Sequence, residues 1–324
     1  MRTQHELLEL INISLEKVDL EKKPAKLYAP IRYVLSIGGK RLRPVLCLMA
    51  CELYDDQIEK AIQPALALEV FHNFTLLHDD IMDKAEKRRN MDCVHIKWNE
   101  NVAILSGDSM QILSYQILSQ LPEKHLKESL ALFTKTAIEV CEGQQFDMDF
   151  ETQAEVSIEE YMNMIRLKTA VLLAASLKMG GIIGGASEKD AELLYQFGIE
   201  TGFAFQLKDD LLDVYGDAAT FGKKIGGDIL CNKKTFLLIE ALHRADQATR
   251  KELHYWLDKT DFIAEEKIKA ITDIYNKLGI KDICCSEIEK HQKLAFKSLN
   301  KISASEARKA PLTELANELM DRKK

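Results

Sequence analysis

Two copies of one acidic pattern are the residues in this sequence most suited to chemistry. The pattern Asp-Asp-x-x-Asp occurs at Asp79–Asp83 and again at Asp209–Asp213. In each copy, a spacing of four residues places the first and last carboxylates on one face of a helix, so both can reach the same ion. Such hard oxygen ligands suit Mg²⁺, which often joins carboxylates to substrate phosphates. The sequence therefore predicts a diphosphate ligand bridged by metal ions, with these candidate ligands: Asp79, Asp80, Asp83, Asp209, Asp210 and Asp213.

An acidic, solvated helix end is the simpler explanation for either copy taken alone. Both copies, however, close mostly apolar stretches, ALALEVFHNFTLLHDDIMD and FGIETGFAFQLKDDLLD. Aspartate is a mediocre helix former, and adjacent carboxylates repel one another unless cations intervene. The repetition in two apolar hosts favours metal binding.

A diphosphate also needs cationic partners, and two basic segments flank the first aspartate cluster. In Gly38–Pro44 (GGKRLRP), two glycines free the backbone to approach a ligand while Lys40 and Arg43 project charge. A helix C-cap with solvated charges is the alternative. Arg88 and Arg89 follow Asp83 by five and six residues, close enough to turn back over bound ions, although an exposed basic loop is the alternative.

Further basic groups lie around the second cluster. Lys168-Thr169 interrupts the apolar helix MIRLKTAVLLAASL, where a lysine snorkelling to the surface is the alternative. Lys223 lies in the glycine-rich segment FGKKIGGD, which could fold over a phosphate, and Lys233 and Lys234 follow; a surface loop is the rival explanation. His72, seven residues before Asp79, is by itself more typical of a core residue than of a ligand.

The elements that must position these side chains are helices. Apolar residues recur every three or four positions, as at Ile268, Ile271 and Tyr275, and no proline lies between Pro122 and Pro311. Strand-like alternation is hard to find, and no linker marks a boundary. We therefore predict an all-α fold of about ten or more helices in a single domain, residues 1–324.

Composition excludes some classes of function. The formal charge of −7 argues against a nucleic-acid protein, and no apolar run approaches the ~18 residues of a membrane span. The seven cysteines have no CxxC pair or zinc-type spacing, so they indicate reduced thiols and a cytoplasmic setting.

The order GGKxxRP, LLHDDIMD, RR, LKTA, FQxxDD and GKK…GGD…NKKT, from Gly38 to Phe236, closely resembles the trans-isoprenyl diphosphate synthases, which include farnesyl and geranylgeranyl diphosphate synthases. The resemblance implies a helical bundle around a central cavity, a homodimer, and Mg²⁺ with three ions per active site. It also implies head-to-tail condensation of isopentenyl diphosphate with an allylic diphosphate to give a short all-trans C15–C20 product. The helices beyond Leu242 carry no motif that adds to this.

The resemblance assigns roles to individual residues. Asp79 and Asp83 would bind Mg²⁺ from one side of the cavity and Asp209 from the other, supported by Asp80, Asp210 and Asp213. The isopentenyl diphosphate site would comprise Lys40, Arg43, His72 and Arg89. The allylic diphosphate site would comprise Arg88, Lys168, Thr169, Gln206, Lys223 and Lys233. Gln144 and Asp147 match a further polar pair on the cavity wall.

The implied chemistry begins with departure of diphosphate from the allylic substrate, which metal ions and cations stabilise. The double bond of isopentenyl diphosphate attacks the resulting cation, and a proton is lost to the released diphosphate. Water must be excluded, so the loop around Lys223 is expected to act as a lid.

The sequence departs from the family after the paired arginines, where Asn90-Met91-Asp92-Cys93 replaces Gly-x-Pro-Thr, so this loop is expected to differ in shape. The doubled Lys223-Lys224 leaves two candidates for the phosphate contact, and we prefer Lys223 because it follows Gly222.

Product length would be limited by bulky residues upstream of Asp79. By resemblance, Phe74 and Phe71, five and eight positions before it, form the floor of the tunnel. On a helical wheel, Thr75 points in nearly the same direction as Asp79, whereas Phe74 does not. The role of Phe74 in limiting product length is therefore what the resemblance implies.

Three alternatives remain at this point. A class I terpene cyclase also uses DDxxD and Mg²⁺ but needs no second diphosphate site. A helical di-iron protein would use ExxH patterns, here Glu69-x-x-His72 and Glu240-x-x-His243. A non-catalytic subunit would not require the intact metal and diphosphate motifs.

Overall fold

A computed structural model describes residues 1–216 and 225–321, with side chains up to residue 319. Within these ranges the secondary structure is almost entirely helical, and the strands found there are the two-residue strands β1 (Lys87–Arg88) and β2 (Met91–Asp92), which pair antiparallel. The expectation of an all-α fold is confirmed. Backbone contacts group the chain into two compact units, residues 1–135, 175–195 and 302–312, and residues 136–174, 196–301 and 313–324.

The helices in chain order are α1 (Gln4–Glu16), α2 (Ala25–Ser36), α3 (Leu42–Glu52), α4 (Ile62–Met82), α5 (Val94–Lys97), α6 (Glu100–Leu118), α7 (Glu123–Thr152), α8 (Ile158–Ile165), α9 (Val171–Gly184), α10 (Glu188–Tyr215), α11 (Gly227–Leu230), α12 (Phe236–Arg244), α13 (Gln247–Asp258), α14 (Ala264–Lys277), α15 (Ile280–Leu299) and α16 (Glu306–Asp321). A 3₁₀ turn (Ile58–Ala61) precedes α4, and a π turn (Arg166–Ala170) joins α8 to α9.

The first unit is built around α4, which carries the first aspartate cluster. Leu66, Leu68, Val70 and Phe71 are all buried, so α4 is apolar on nearly every side rather than along one stripe. A helix of this composition is stable only when other helices surround it, and here α3 and α6 pack against it. The packing of α3 and α6 around α4 therefore fixes the position of its C-terminal end, where the first aspartate cluster lies.

The second unit positions the second aspartate cluster on α10. Leu207 and Leu211 of α10 are buried in this unit, as are Ile271 and Tyr275 of α14, which form the amphipathic stripe expected from the sequence. Leu253 of α13 is also buried. The late helices, which carry no motif of their own, thus supply much of the apolar packing of this unit.

One continuous helical stretch, Ile158–Gly184, is long and apolar enough to cross a membrane by length and composition. In the structure, 83% of its most apolar window is buried inside the protein. Burial of that extent is typical of a core helix.

Candidate active site

The first aspartate cluster lies where α4 ends. Asp80 is buried, Asp79 is half-buried, and Asp83 caps the helix in an exposed position. The guanidinium of Arg88 anchors Asp80, because its Nε donates to both carboxylate oxygens at 2.9 Å and its Nη2 lies 2.7 Å from Oδ1. The same Nη2 lies 3.6 Å from Asp79 Oδ2. Arg88 thus turns back onto the cluster, and its predicted position over bound ions stays a prediction.

The electrostatics of this pair follow from its burial. Burial alone would lower the pKa of Arg88, but the hydrogen bond and charge of Asp80 outweigh it, so the pKa is raised. Arg88 is therefore a permanent cation beside Asp79 and Asp80. The middle aspartate of the triplet is held by the protein, which leaves its outer neighbours, Asp79 and Asp83, as the better candidate metal ligands.

The loop that departs from the family pattern is a tight hairpin. Lys87 pairs with Asp92 and Arg88 with Met91, and the two residues between them, Arg89 and Asn90, have φ of 53° and 64°. Positive φ at both central positions is the signature of a type I′ turn, which matches the twist of the flanking strands and favours Asn. The loop that contains Asn90–Cys93 is thus a β-hairpin, and it places Arg89 at its tip.

Three predicted residues of the isopentenyl diphosphate site come together in the first unit. Arg43 Nη1 lies 2.9 Å from His72 Nε2. The guanidinium of Arg89 packs against Gly39, where an added Cβ would lie 2.4 Å from Nη1. The fourth predicted residue, Lys40, is exposed in the loop between these positions. The structure therefore brings Arg43, His72 and Arg89 into one basic cluster.

Burial and like charges shape this cluster. Burial lowers the pKa of Arg43 to about 10, with a further lowering from Arg89. Burial, followed by the charges of Arg43 and Arg89, holds the pKa of His72 well below its usual value. His72 is therefore neutral near pH 7, and its Nε2 accepts a hydrogen bond from Arg43. The Arg43 Nε is buried without a partner among the described residues, as a donor intended for an anion would be.

Sequence reasoning missed the residue that holds this loop in place. Arg41, between the predicted ligands Lys40 and Arg43, is buried and has a left-handed φ of 46°. Its Nη1 lies 2.6 Å from Glu69 Oε1, and its Nη2 donates to the Leu35 carbonyl. Asn73 Nδ2 also donates to Glu69, at 2.7 Å. The spacing of residues in GGKRLRP does not show that Arg41 is buried in an ion pair while Arg43 belongs to the basic cluster.

The second aspartate cluster lies near the end of α10 and follows the same plan. Asp210 is buried, and it accepts hydrogen bonds from the Tyr161 hydroxyl and, at 3.1 Å, from Gln206 Nε2. Thr169 Oγ1 donates in turn to Gln206 Oε1 at 3.1 Å. Asp213 accepts from the backbone N–H of Asp228 at 3.0 Å. Gln206 and Thr169, both predicted, are thus joined to the cluster, whereas Tyr161 was missed because nothing in its spacing marks it.

The two middle aspartates differ in their partners. Asp80 is paired with the guanidinium of Arg88, while the hydrogen-bond donors to Asp210 in the described part of the chain, Tyr161 and Gln206, are neutral. Burial and the charge of Asp228 raise the pKa of Asp210 to about 7, although the Tyr161 and Gln206 hydrogen bonds oppose that rise. In each cluster, the middle carboxylate is buried and held by side-chain hydrogen bonds, from Arg88 to Asp80 and from Tyr161 and Gln206 to Asp210.

A π turn presents the lysine of the LKTA motif. Residues Arg166–Ala170 form this turn, which places Lys168 Nζ 2.6 Å from Asp147 Oδ2. Helix α7 approaches the turn closely because Gly143 faces it: a Cβ on Gly143 would lie 2.3 Å from the Lys168 nitrogen. π turns occur often at functional sites. The sequence predicted an uninterrupted helix here, and a π turn cannot be inferred from apolar spacing.

Asp147 lies between two predicted phosphate ligands. Besides the Lys168 contact, its Oδ2 is 3.7 Å from Lys233 Nζ. Burial would raise the pKa of Asp147, but Lys233 and Lys168 together lower it. Asp147, whose role the sequence left open, is therefore an ionised counter-charge to both lysines.

The structure separates the two lysines that follow the glycine-rich segment. Lys234 Nζ donates to the carbonyls of Phe150 and Gln153, at 3.0 and 2.8 Å, near the end of α7. Lys233 instead faces Asp147. Behind them, the fully buried Lys267 donates to Asn232 Oδ1 at 2.7 Å. Lys234 and Lys267 are thus structural, and the predicted contacts and lid at Lys223 and Lys224 lie outside the described residues.

Comparison with known proteins agrees with this arrangement. Residues 24–275 match the family model described as polyprenyl synthetase. The chain belongs to the polyprenyl synthetase family. It is 37% identical over 269 residues to the geranylgeranyl diphosphate synthase of Methanosarcina mazei, a match that covers 82% of each protein. The resemblance noted from the motifs is confirmed, and the chain is a prenyltransferase of isoprenoid biosynthesis.

Solved structures of this family have the same fold. A crystal structure of a geranylgeranyl pyrophosphate synthase has a TM-score of 0.94 and 42% identity to this chain, with both chains covered completely. A geranylgeranyl pyrophosphate synthase from Corynebacterium glutamicum, complexed with isoprenyl diphosphate and magnesium, has a TM-score of 0.88 and 27% identity, covering 99% of this chain and 100% of that one.

The chain-length residues predicted for this polyprenyl synthetase form an aromatic series in the first unit. Phe74 is 7% exposed, and its ring centroid is 4.8 Å from that of His78 and 5.5 Å from that of Phe71. Phe71 is fully buried and contacts Phe133 at 5.3 Å. Thr75, which the helical wheel favoured, is half-buried and donates to the His72 carbonyl. Of these two phenylalanines, Phe74 is therefore the more exposed, and Phe71 lies deeper in the core of the first unit.

Magnesium is the metal that this donor set fits. Within residues 1–216 and 225–321, no group of three or more His, Cys, Asp or Glu side chains could hold a metal ion by itself. The outer aspartates of each cluster supply only part of a coordination shell, all of it hard oxygen. Mg²⁺ typically takes one or two carboxylates together with phosphate oxygens and water, so these donors fit if the substrate completes the shell.

Proposed function

We propose that this polyprenyl synthetase condenses isopentenyl diphosphate head-to-tail with an allylic diphosphate, in a Mg²⁺-dependent reaction that yields an all-trans C15–C20 product. The observation that carries the proposal is the presence of two anchored aspartate clusters together with a separate basic cluster at Arg43, His72 and Arg89. The relatives named geranylgeranyl synthases make a product within this range.

The metal would be held by the outer aspartates. Asp79 and Asp83 are the candidate ligands in the first unit and Asp209 in the second, with three ions per site expected from the family. When bound, Mg²⁺ stabilises the negative charge that develops on the departing diphosphate. Beside these ligands, Arg88 donates to Asp80 and Tyr161 donates to Asp210.

The allylic diphosphate would be bound by Lys168, Lys233, Thr169, Gln206 and Arg88. Asp147 lies close to the Nζ atoms of both lysines, so these atoms already face an anionic group. The incoming phosphate would take the place of this carboxylate beside them. These cations stabilise the diphosphate as the bond from C1 to oxygen breaks. The allylic cation is then attacked by the double bond of isopentenyl diphosphate, and the released diphosphate accepts the lost proton.

The isopentenyl diphosphate would be bound in the basic cluster of the first unit. Arg43 and Arg89 supply fork-shaped donors suited to phosphate, with Lys40 on the adjacent loop. Neutral His72 orients Arg43 through Nε2 and adds no like charge to the cluster. A second substrate of this kind is needed for condensation but not for terpene cyclisation.

The di-iron alternative disagrees with the observed pairings. Glu69 is in a buried ion pair with Arg41, and Glu240 Oε2 lies 2.6 Å from Arg244 Nε. A carboxylate held by a guanidinium is a poor iron ligand because the metal would have to displace a cation. Iron content after aerobic purification tests this directly, and we expect none in stoichiometric amount.

A second copy of the chain is the expected partner. On α6, Ile104, Leu105 and Ile112 are 45%, 58% and 70% exposed, and their spacing places them on one side of the helix. Exposed apolar groups in one place mark interaction surfaces. We propose a homodimer through this face, and Ile112→Glu should convert the dimer to a monomer in light-scattering measurements. The seven cysteines, all free thiols, support the proposed cytoplasmic location.

The decisive test is product analysis with purified protein. Radiolabelled isopentenyl diphosphate is offered with dimethylallyl, geranyl or farnesyl diphosphate, with and without Mg²⁺. Incorporation of label into C15–C20 alcohols after dephosphorylation, dependent on Mg²⁺, supports the proposal. Conversion of an allylic diphosphate to a hydrocarbon without incorporation of label would instead support a cyclase.

A further inference from the structure

The two adjacent glycines of the GGKRLRP loop have different surroundings. A Cβ built on Gly39 would lie 2.4 Å from Nη1 of Arg89 and 2.5 Å from its Cζ and Nη2. A Cβ built on Gly38 would meet nothing within 4 Å. Both residues have positive φ, +80° at Gly38 and +138° at Gly39. Both therefore need glycine for backbone reasons, but only Gly39 is in contact with a side chain that belongs to the proposed site.

The backbone that carries Arg89 is fixed independently of Gly39. Arg89 and Asn90 form the tip of the hairpin, and the base of the hairpin is closed by the Cys93 N–H, which donates to the Glu86 carbonyl at 2.9 Å. The Tyr33 hydroxyl donates to the Asp92 carbonyl at 2.8 Å. The movable part of Arg89 is thus its side chain.

No ion pair holds that side chain among the residues that the structure describes. The two nearby carboxylates that affect it, Glu69 and Asp80, are engaged by Arg41 and Arg88 at 2.6 and 2.7 Å. The guanidinium of Arg89 instead rests in the space that the missing Gly39 side chain provides. In this position the guanidinium of Arg89 is close enough to Arg43 and His72 for its charge to lower the pKa of both.

We propose that Gly39 is a positioning residue for isopentenyl diphosphate: its lack of a side chain seats the Arg89 guanidinium beside Arg43 and His72, so that two guanidinium groups bind one diphosphate. The inference rests on the proposed function, because it assumes that this cluster binds isopentenyl diphosphate. Planar guanidinium groups bind phosphate through paired hydrogen bonds, and such binding depends on their orientation. Displacement of Arg89 by a single methyl group would therefore weaken binding even though the charge remains.

The first experiment compares Gly39→Ala with the matched control Gly38→Ala in the full-length protein. Both changes place alanine at a positive φ, so both report backbone strain, but only Gly39→Ala displaces Arg89. We expect Gly39→Ala to raise the KM for isopentenyl diphosphate about 10-fold or more, the loss associated with one charge-assisted contact. The KM for the allylic diphosphate and kcat should stay within about twofold, a pattern that general loosening of the fold would not give. Equal effects of the two alanines would overturn the inference.

The second experiment is a double-mutant cycle with Arg89→Ala. If Gly39 acts only through Arg89, the double variant should raise the KM for isopentenyl diphosphate no further than Arg89→Ala does. Multiplied effects would show that Gly39 acts by another route and would contradict the proposal.

A third pair of variants keeps the test decisive if Gly39→Ala does not fold. Asn90→Val opposes the left-handed turn and should displace Arg89 with Gly39 intact, whereas Asn90→Gly preserves the turn. We expect a raised KM for isopentenyl diphosphate with Asn90→Val alone, and an unchanged KM would overturn the inference. Failure of the proposed function is distinguishable, because then the wild-type protein itself would not incorporate isopentenyl diphosphate.

Discussion

Removal of one hydroxyl group behind the second aspartate cluster should impair both stability and turnover. In Tyr161→Phe, Asp210 loses its donor from Tyr161, and of its side-chain donors within residues 1–216 and 225–319 it keeps Gln206 Nε2, at 3.1 Å. Tyr161 is 2% exposed, so phenylalanine fills the same space and no water can replace the hydroxyl without rearrangement. Because the pKa of Asp210 is about 7, its carboxylate is ionised above pH 8, where a hydrogen bond to a charged group contributes ~1.5–3 kcal/mol; we expect the free energy of unfolding to fall by that amount at such pH.

The catalytic effect should be larger than the change in shape suggests. Asp210 is buried and directly follows the candidate ligand Asp209 on α10, so we expect a shift of Asp210 to disturb the position of Asp209 as well. A misplacement of about 1 Å in a catalytic group costs roughly 100-fold in rate. We expect kcat to fall by about 10- to 100-fold and half-saturation to require more Mg²⁺.

The assay is steady-state incorporation of labelled isopentenyl diphosphate at several Mg²⁺ concentrations, together with chemical unfolding. Tyr275→Phe is the matched control, because Tyr275 is also 2% exposed in the same unit but makes no hydrogen bond through its hydroxyl in the described part of the chain. The reasoning is refuted if Tyr161→Phe retains kcat within about twofold of wild type, or if Tyr275→Phe has an equal effect.

Three further predictions follow from other contacts. Lys267→Met should release the turn at Asn232, which directly precedes Lys233, and should therefore raise the KM for the allylic diphosphate several-fold in steady-state kinetics. The matched change Lys269→Met, at an exposed position nearby, should leave this KM unchanged. Phe74→Ala should lengthen the product, and Phe71→Ala added to it should lengthen it further, as chromatography of the dephosphorylated alcohols would show; an unchanged distribution removes Phe74 as the floor. The pKa of His72 is lowered in the folded protein, so the unfolded chain binds the proton first as pH falls below about 6.5. His72 therefore makes the free energy of unfolding decline by up to ~1.4 kcal/mol per pH unit. Urea unfolding at pH 7.5, 6.5 and 5.5 should show a smaller decline for His72→Gln, whereas the exposed His5→Gln should behave like wild type.

Sequence alone predicts what depends on local pattern. The helical fold follows from apolar spacing, and the paired aspartates, Lys168 and Arg43 follow from motifs of a few residues. Arg88 was expected to turn back over the first cluster because only a short loop separates it from Asp83, and its contacts with Asp80 agree. These inferences need no knowledge of which helices pack together.

What the sequence could not supply are pairings between residues far apart in the chain. Glu69 with Arg41, Tyr161 with Asp210, and Lys267 with Asn232 are separated by 28, 49 and 35 positions. In each pair one member is buried and polar, so the fold decides its partner and no periodicity marks it. The contact of Arg89 with Gly39 is hidden for the same reason, since a motif shows that glycine is present but not what occupies the space beside it.

The central claim is that the metal-dependent reaction needs both aspartate clusters, and single-site substitution tests it most directly. Turnover of labelled isopentenyl diphosphate with an allylic primer is measured at saturating Mg²⁺ for wild type, Asp79→Ala and Asp209→Ala. We predict that each substitution alone lowers kcat by at least about 100-fold, since either set of metal ligands is then incomplete. A near-normal rate in either variant would contradict the claim.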